Sequence, residues 1–215
     1  MTAPDILAWP VAKAPRACVA SSTLNVIDVS LNLSLAACVW DFVDTLGNRR
    51  AEPVERLAAP ADLDLWFDAA GLGIPDRHTS TVVDLEGARS LRDAIFRVAI
   101  SAIEGTITDV TDSRTLNRWA LRMPLRPTIV GERIQMTAKR PVEAALSKIA
   151  AEAIELVFGP LRSRIRVCPE CRMVFVDMSR PGKRRWCSSA AGCGNRAKVR
   201  AHRTRKSAAS QREIQ

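Results

Sequence analysis

Residues 168–193 read CPECRMVFVDMSRPGKRRWCSSAAGC and hold four of the six cysteines in the chain. The spacing is Cys168-x2-Cys171, fifteen intervening residues, then Cys187-x5-Cys193. Two close pairs joined by a linker of that size match a tetrahedral structural zinc site. Each short pair lets one tight turn aim two thiolates at a point, and the linker brings the second pair round. Its contents suit that task. Met173–Asp177 alternates like a strand, Ser179–Gly182 has turn chemistry, and Arg184–Trp186 is expected to return as the second strand of a β-hairpin.

Other readings of the cluster fit less well. A thioredoxin-type CxxC opens a helix, whereas MVFVD follows the first pair here. Rubredoxin-like iron binding uses two tight CxxC knuckles, and the second pair is looser. Four thiolates leave no open coordination position, which disfavours catalytic zinc. The expectation is one structural Zn2+ on Cys168, Cys171, Cys187 and Cys193, with Cys18 and Cys38 isolated as buried or free thiols.

Charge divides the 215-residue chain unevenly. Residues 160–215 carry 15 Lys and Arg against three acidic residues, a net +12, while the preceding 159 residues carry a net −3. Such asymmetry points to a polyanion partner for the last quarter and an ordinary soluble domain before it. No apolar run has membrane-spanning length. The N-terminus contains Asp5, Pro4, Pro10 and Pro15 and lacks the basic start and unbroken apolar stretch of a secretory signal. A cytoplasmic location is expected, where clustered cysteines mean metal or catalysis more often than disulfides.

Helical periodicity dominates the longer part. With Asp62 as the expected cap, Leu63, Trp66, Phe67 and Ala70 recur at helical spacing, and Gly71 is the stop. Leu91, Ile95, Val98 and Ala102 form a second stripe ending at Gly105. A third helix, capped by Asp112 or Ser113, presents Leu116, Trp119, Ala120 and Met123. A fourth starts near Pro141, presents Val142, Leu146, Ile149, Ala153, Leu156 and Val157, and stops at Gly159–Pro160. Residues 128–137, TIVGERIQMT, read as a short hairpin around Gly131. Residues 23–46 read as extended structure running into a helix or turn near Asp41. Asp41 and Asp44 are one turn apart, a spacing typical of surface or capping groups, and His78 reads as a solvated loop residue. Nothing in residues 1–160 resembles a Ser/His/Asp set or a phosphate-cradling loop. No enzyme is expected.

After Cys193 the chain runs GNRAKVRAHRTRK, a short helix expected over about 195–206 and ringed with positive charge. Arg196, Lys198, Arg200 and Arg203 are candidates for nucleic-acid contact, with Arg184 and Arg185 close enough in sequence to join them. Phe175 and Trp186 are the only aromatic residues after 160, a poor stacking platform for single strands, so duplex DNA is the expected partner.

These residues carry a resemblance. RWCSSAAGCGNRAKVRAHR (185–203) resembles the zinc finger named for its CGNR motif, here Cys193-Gly194-Asn195-Arg196, and CPECRMVFVDMSRPGKRRW resembles its first half. VWDFVDTLGNRRAEPVERLAAPADLDLWFDAAGL (39–72) resembles the start of the ABATE domain, which commonly precedes that finger. The second cysteine pair has five intervening residues against four in the usual form. Asp44 stands where the family usually has Asn, and Trp40 where it has a smaller apolar residue.

The resemblance implies a bacterial, stress-related transcription regulator whose finger binds DNA. The expected fold is mainly α: an N-terminal extension (1–22), an ABATE-like helical domain with a small β element (23–160), a four-cysteine zinc finger built from a β-hairpin and a short basic helix (161–206), and a disordered tail (207–215). The helical domain would sense a signal of unknown chemistry or form a homodimer. The alternative is a zinc-stapled basic module that docks RNA or an acidic protein.

Overall fold

The computed structural model describes residues 38–72, 79–188 and 192–212. The expected N-terminal extension, most of the expected extended segment, Cys18 and His78 lie outside them. Residues 38–43 are helical (α1), and the chain then turns through a minimal hairpin, β1 (Leu46–Gly47) against β2 (Val54–Glu55). Helices α2 (Pro60–Ala70), α3 (Val82–Glu104) and α4 (Val110–Ala120) follow. A second hairpin, β3 (Arg126–Val130) with β4 (Arg133–Thr137), precedes α5 (Pro141–Phe158). A 3-10 turn (Pro160–Arg164) leads into β5 (Ile165–Val167), β6 (Val174–Val176) and the terminal helix α6 (Cys193–Arg212).

The helix ends explain themselves chemically. Helix α3 starts on a capping box, in which Thr81 Oγ1 accepts the Asp84 amide and Asp84 accepts the Thr81 amide at 2.9 Å. It ends at Gly105, whose φ of 69° is the left-handed conformation that glycine takes most easily. Two expected caps shift by a few residues. Asp62 is not the cap of α2 but lies within its first turn, accepting the Ala59 amide at 2.7 Å. Helix α4 is capped by Asp109, not by Asp112 or Ser113, and Asp112 is buried against Arg97 instead. Its helix closes at Ala120, so Met123 lies beyond it and is exposed.

Helix α5 is central. Its apolar positions Val142, Leu146, Ile149, Ala153, Leu156 and Val157 are all buried, as the stripe predicts, and it packs against α3 and α4. Burying one such Leu or Ile side chain stabilises by roughly 1.5–3 kcal/mol. The stripes of α2 and α3 meet the same core, in which Phe42 and Trp66 pack with ring centroids 5.0 Å apart and planes tilted by 52°.

Arg92 brings a charge into this core. Arg92, only 2 % exposed, donates to Glu55 Oε1 at 2.6 Å and to Asp93 Oδ1 at 3.1 Å. It thereby ties β2 to α3. Within the β1–β2 loop two adjacent arginines point opposite ways. Arg49 turns inward, donating to Val43 O and to Asp93 and stacking 4.2 Å over the Phe96 ring. Arg50 turns outward and donates to Pro169 O in the cysteine segment.

The β5–β6 hairpin joins two cores. Ile165 and Val174 belong to the large helical core, while Phe175 faces a small one made with Cys168, Cys187 and Cys193. The finger is therefore seated on the helical domain rather than hung from a linker. No helix among the described residues is long and apolar enough to cross a membrane.

Candidate metal centre and basic face

The first cysteine pair sits at the tip of β5–β6. Cys168 donates its amide to Met173 O at 2.9 Å, and Arg172 donates its own to Cys168 O at 2.9 Å. This folds Cys168–Arg172 into a tight knuckle, with Arg172 held at a φ of 61°. The hairpin differs from the sequence expectation. Strand β6 pairs with β5, which precedes Cys168, and residues 184–186 form no strand. Asp177 is the reason. Its buried carboxylate accepts the amides of Ser179 at 2.9 Å and Arg184 at 2.8 Å, closing the 177–184 loop with side-chain bonds in place of a ladder.

The second pair is set by the groups around it. Arg184 donates to Trp186 O at 2.8 Å and to Cys187 O, clamping the backbone that carries Cys187. Gly192, at a φ of 64°, turns the chain so that Cys193 opens helix α6. Gly194 lies directly beneath the Trp186 indole.

The four thiols converge. All four sulfur atoms lie within 4.8 Å of one another, and three separations, Cys171–Cys187, Cys187–Cys193 and Cys193–Cys171, are each 3.7 Å. Zinc–sulfur bonds of about 2.3 Å place tetrahedral sulfurs about 3.8 Å apart, so the cage has the size of a four-thiolate zinc site. Three of the four cysteines are buried and Cys171 is half-buried.

Electrostatics also call for a cation. The hydrogen bond from the Cys187 thiol draws Cys171 down to about 5. Cys187 is pushed up, first by that same bond and then by burial, and burial first pushes Cys193 up to about 11. Thiols this close do not ionise together unaided, and a divalent ion at the centre holds all four as thiolates. The four cysteines bind one structural zinc, and Arg196 supports it by donating Nη2 to Cys193 Sγ at 3.1 Å.

The residues expected to contact nucleic acid fall into different environments. Arg184 spends its guanidinium on the knuckle backbone. Arg185 is exposed beside Trp186, 5.6 Å from the ring centroid. Arg196, Lys198, Arg200 and Arg203 are exposed along α6, which runs to Arg212 where the sequence suggests an end near 206. Arg196 and Arg200 also meet Glu170. Arg200 Nη1 donates to Glu170 Oε1 at 2.7 Å, its Nη2 to Oε2, and Arg196 Nε lies 3.7 Å from Oε1.

Sequence reasoning missed Glu170, Arg50 and Asp44. Glu170 gave a signal, being a lone acid inside the first knuckle of a basic segment. Arg50 gave none, since it lies 118 residues before Cys168 in the chain. Asp44 is half-buried rather than a surface or capping group, and with Arg49, Arg56, Cys171, Cys193 and Arg196 it lines a 190 Å³ cavity between helical domain and finger. Burial, followed by the Asp41 charge, pushes its carboxyl well above the usual carboxylate range.

A helical domain carrying a four-cysteine metal centre and a basic helix defines a zinc-binding protein. Its two parts match two sequence families in that order. Residues 36–160, more than half of the chain, match ABATE, described as "Putative stress-induced transcription regulator", and residues 164–206 match the CGNR zinc finger. The chain belongs to the ABATE family and carries a CGNR finger at its C-terminal end. No curated protein matches it.

Proposed function

We propose that this protein is a DNA-binding transcription regulator rather than an enzyme. Its finger contacts duplex DNA, and its helical domain senses a signal or forms a homodimer. The observation that carries this reading is the setting of α6. Its first residue is a zinc ligand, and its next three turns present Arg196, Lys198, Arg200, Arg203, Arg205 and Lys206 on an exposed surface. A basic helix anchored by a metal centre offers phosphate contacts from a fixed position, and each phosphate neutralised adds about 0.9 to the salt slope of binding. Arginine also reads guanine edges in the major groove.

A homodimer is part of the proposal because single modules bury little DNA surface and rarely reach high specificity alone. The test is selection from a random-sequence duplex pool by the zinc-loaded full-length protein at near-physiological salt. An enriched motif is expected, with two-fold symmetry if two copies bind together. Retention of DNA with no enriched motif overturns sequence-specific regulation and favours a generic polyanion binder, with RNA and acidic protein partners next to be tested.

A further inference from the structure

Three guanidinium groups from two parts of the molecule gather around one carboxylate. Asn48, Arg50, Ala51, Glu170, Arg196 and Arg200 line an open cleft of 510 Å³ between the β1–β2 loop and the finger. Glu170 accepts from both Nη atoms of Arg200 and faces Arg196 Nε. Arg50 is bonded to the carbonyl of Pro169, the residue next to Glu170, and lines the same cleft. Three positive groups against one negative leave the cleft strongly cationic.

The geometry is that of anion recognition. A two-pronged bond from Arg to a carboxylate uses the same fork that Arg offers to a phosphate. The Arg196 and Arg200 side chains remain 54 % and 59 % exposed, while that of Glu170 is only 13 % exposed. The carboxylate lies inside and the arginines stay open to solvent. Ion pairs with a solvent-exposed member contribute little net stability, so these arginines can exchange Glu170 for another anion at small cost.

We propose that this cleft is a site for a backbone phosphate of duplex DNA, shared between the helical domain and the finger. Arg50 contacts the phosphate together with Arg196 and Arg200, and Glu170 holds the phosphate's place in the DNA-free protein. The inference rests on the DNA-binding reading above and extends the interface beyond the finger. It also gives the helical domain a direct route to the DNA affinity. Any movement of the β1–β2 loop carries Arg50 toward or away from the phosphate.

The test is a salt titration of duplex binding with zinc-loaded full-length protein, comparing wild type, Arg50→Ala and Glu170→Gln, with zinc content measured on each. Arg50→Ala is expected to weaken binding to all duplexes alike and to lower the log–log salt slope by about one. Glu170→Gln removes the competing carboxylate and is expected to tighten binding several-fold and steepen the slope. If wild type binds but the Arg50→Ala slope is unchanged, the shared site is wrong and the function proposed above stands. A zinc-replete Glu170→Gln protein that binds no better also overturns the inference, because Glu170 is then only a tie between knuckle and helix. Should that variant lose zinc, a zinc-replete Arg50→Ala protein decides alone. Failure of wild type to bind any duplex at low salt overturns the DNA-binding reading, and this inference with it.

Discussion

The Trp186 indole packs closely against Gly194: a Cβ added to Gly194 would stand 2.9 Å from Trp186 Cδ1. The glycine of the CGNR motif is therefore required by packing, because its neighbour in the small metal core leaves no room for a side chain. Gly194→Ala is expected to displace the indole and destabilise the finger by about 1–3 kcal/mol. Zinc affinity by chelator competition and the Trp186 emission should both report it. Unchanged affinity and emission would contradict the close approach.

Arg196, the last residue of the same motif, is bonded to the Cys193 sulfur. Groups that support metal ligands in this way are worth about 10–100-fold in metal affinity. Arg196→Ala is expected to lose zinc to a competing chelator more readily by a factor in that range, whereas Lys198→Ala should not.

Metal removal should act locally. Metal analysis of full-length protein is expected to give one zinc per chain, and chelation to unfold the hairpin and knuckles while α2–α5 stay helical. Separate cores for the metal cluster and the helices are the reason. Complete loss of helical circular dichroism on chelation would mean that the two parts fold as one unit.

Asp44 predicts a pH dependence of stability. Its folded pKa lies well above that of the unfolded chain, chiefly through burial, so the unfolded state ionises first as pH rises. The resulting penalty is absent below the ordinary carboxylate value of about 3.9 and grows until pH passes the folded value. Asp44→Asn should therefore raise the melting temperature at neutral pH, with a smaller gain at about pH 5. An equal gain at both pH values would argue against burial of the charge.

Arg92 is nearly inaccessible and its partners stand on two different elements. Removing one member of a buried pair costs roughly 3–5 kcal/mol, and because Glu55 is 30 % exposed the lower end applies. Urea denaturation of Arg92→Ala should show a loss of about 3 kcal/mol, with loosening of the β1–β2 hairpin.

The sequence by itself determined the features with the strongest local signals, though not every helix cap. Cysteine spacing defined the ligand set, because two short pairs and a linker suffice to specify a four-thiolate cage. Period-3.6 stripes located α2, α3 and α5, since each of those helices buries one apolar face and Gly71, Gly105 and Pro160 mark the ends. The β3–β4 hairpin was legible from its turn at Gly131. Where two local choices nearly matched, tertiary structure decided. Residues 184–186 read as the second strand of the hairpin, but the Asp177 carboxylate takes the Arg184 amide, and β6 finds its partner in the segment before Cys168. The burial of Arg92, the opposite orientations of Arg49 and Arg50, and the meeting of Arg50 with the Pro169–Glu170 segment were not legible at all. They depend on contacts between residues far apart in the chain, and neither spacing nor periodicity encodes which distant carboxylate or carbonyl a guanidinium will reach.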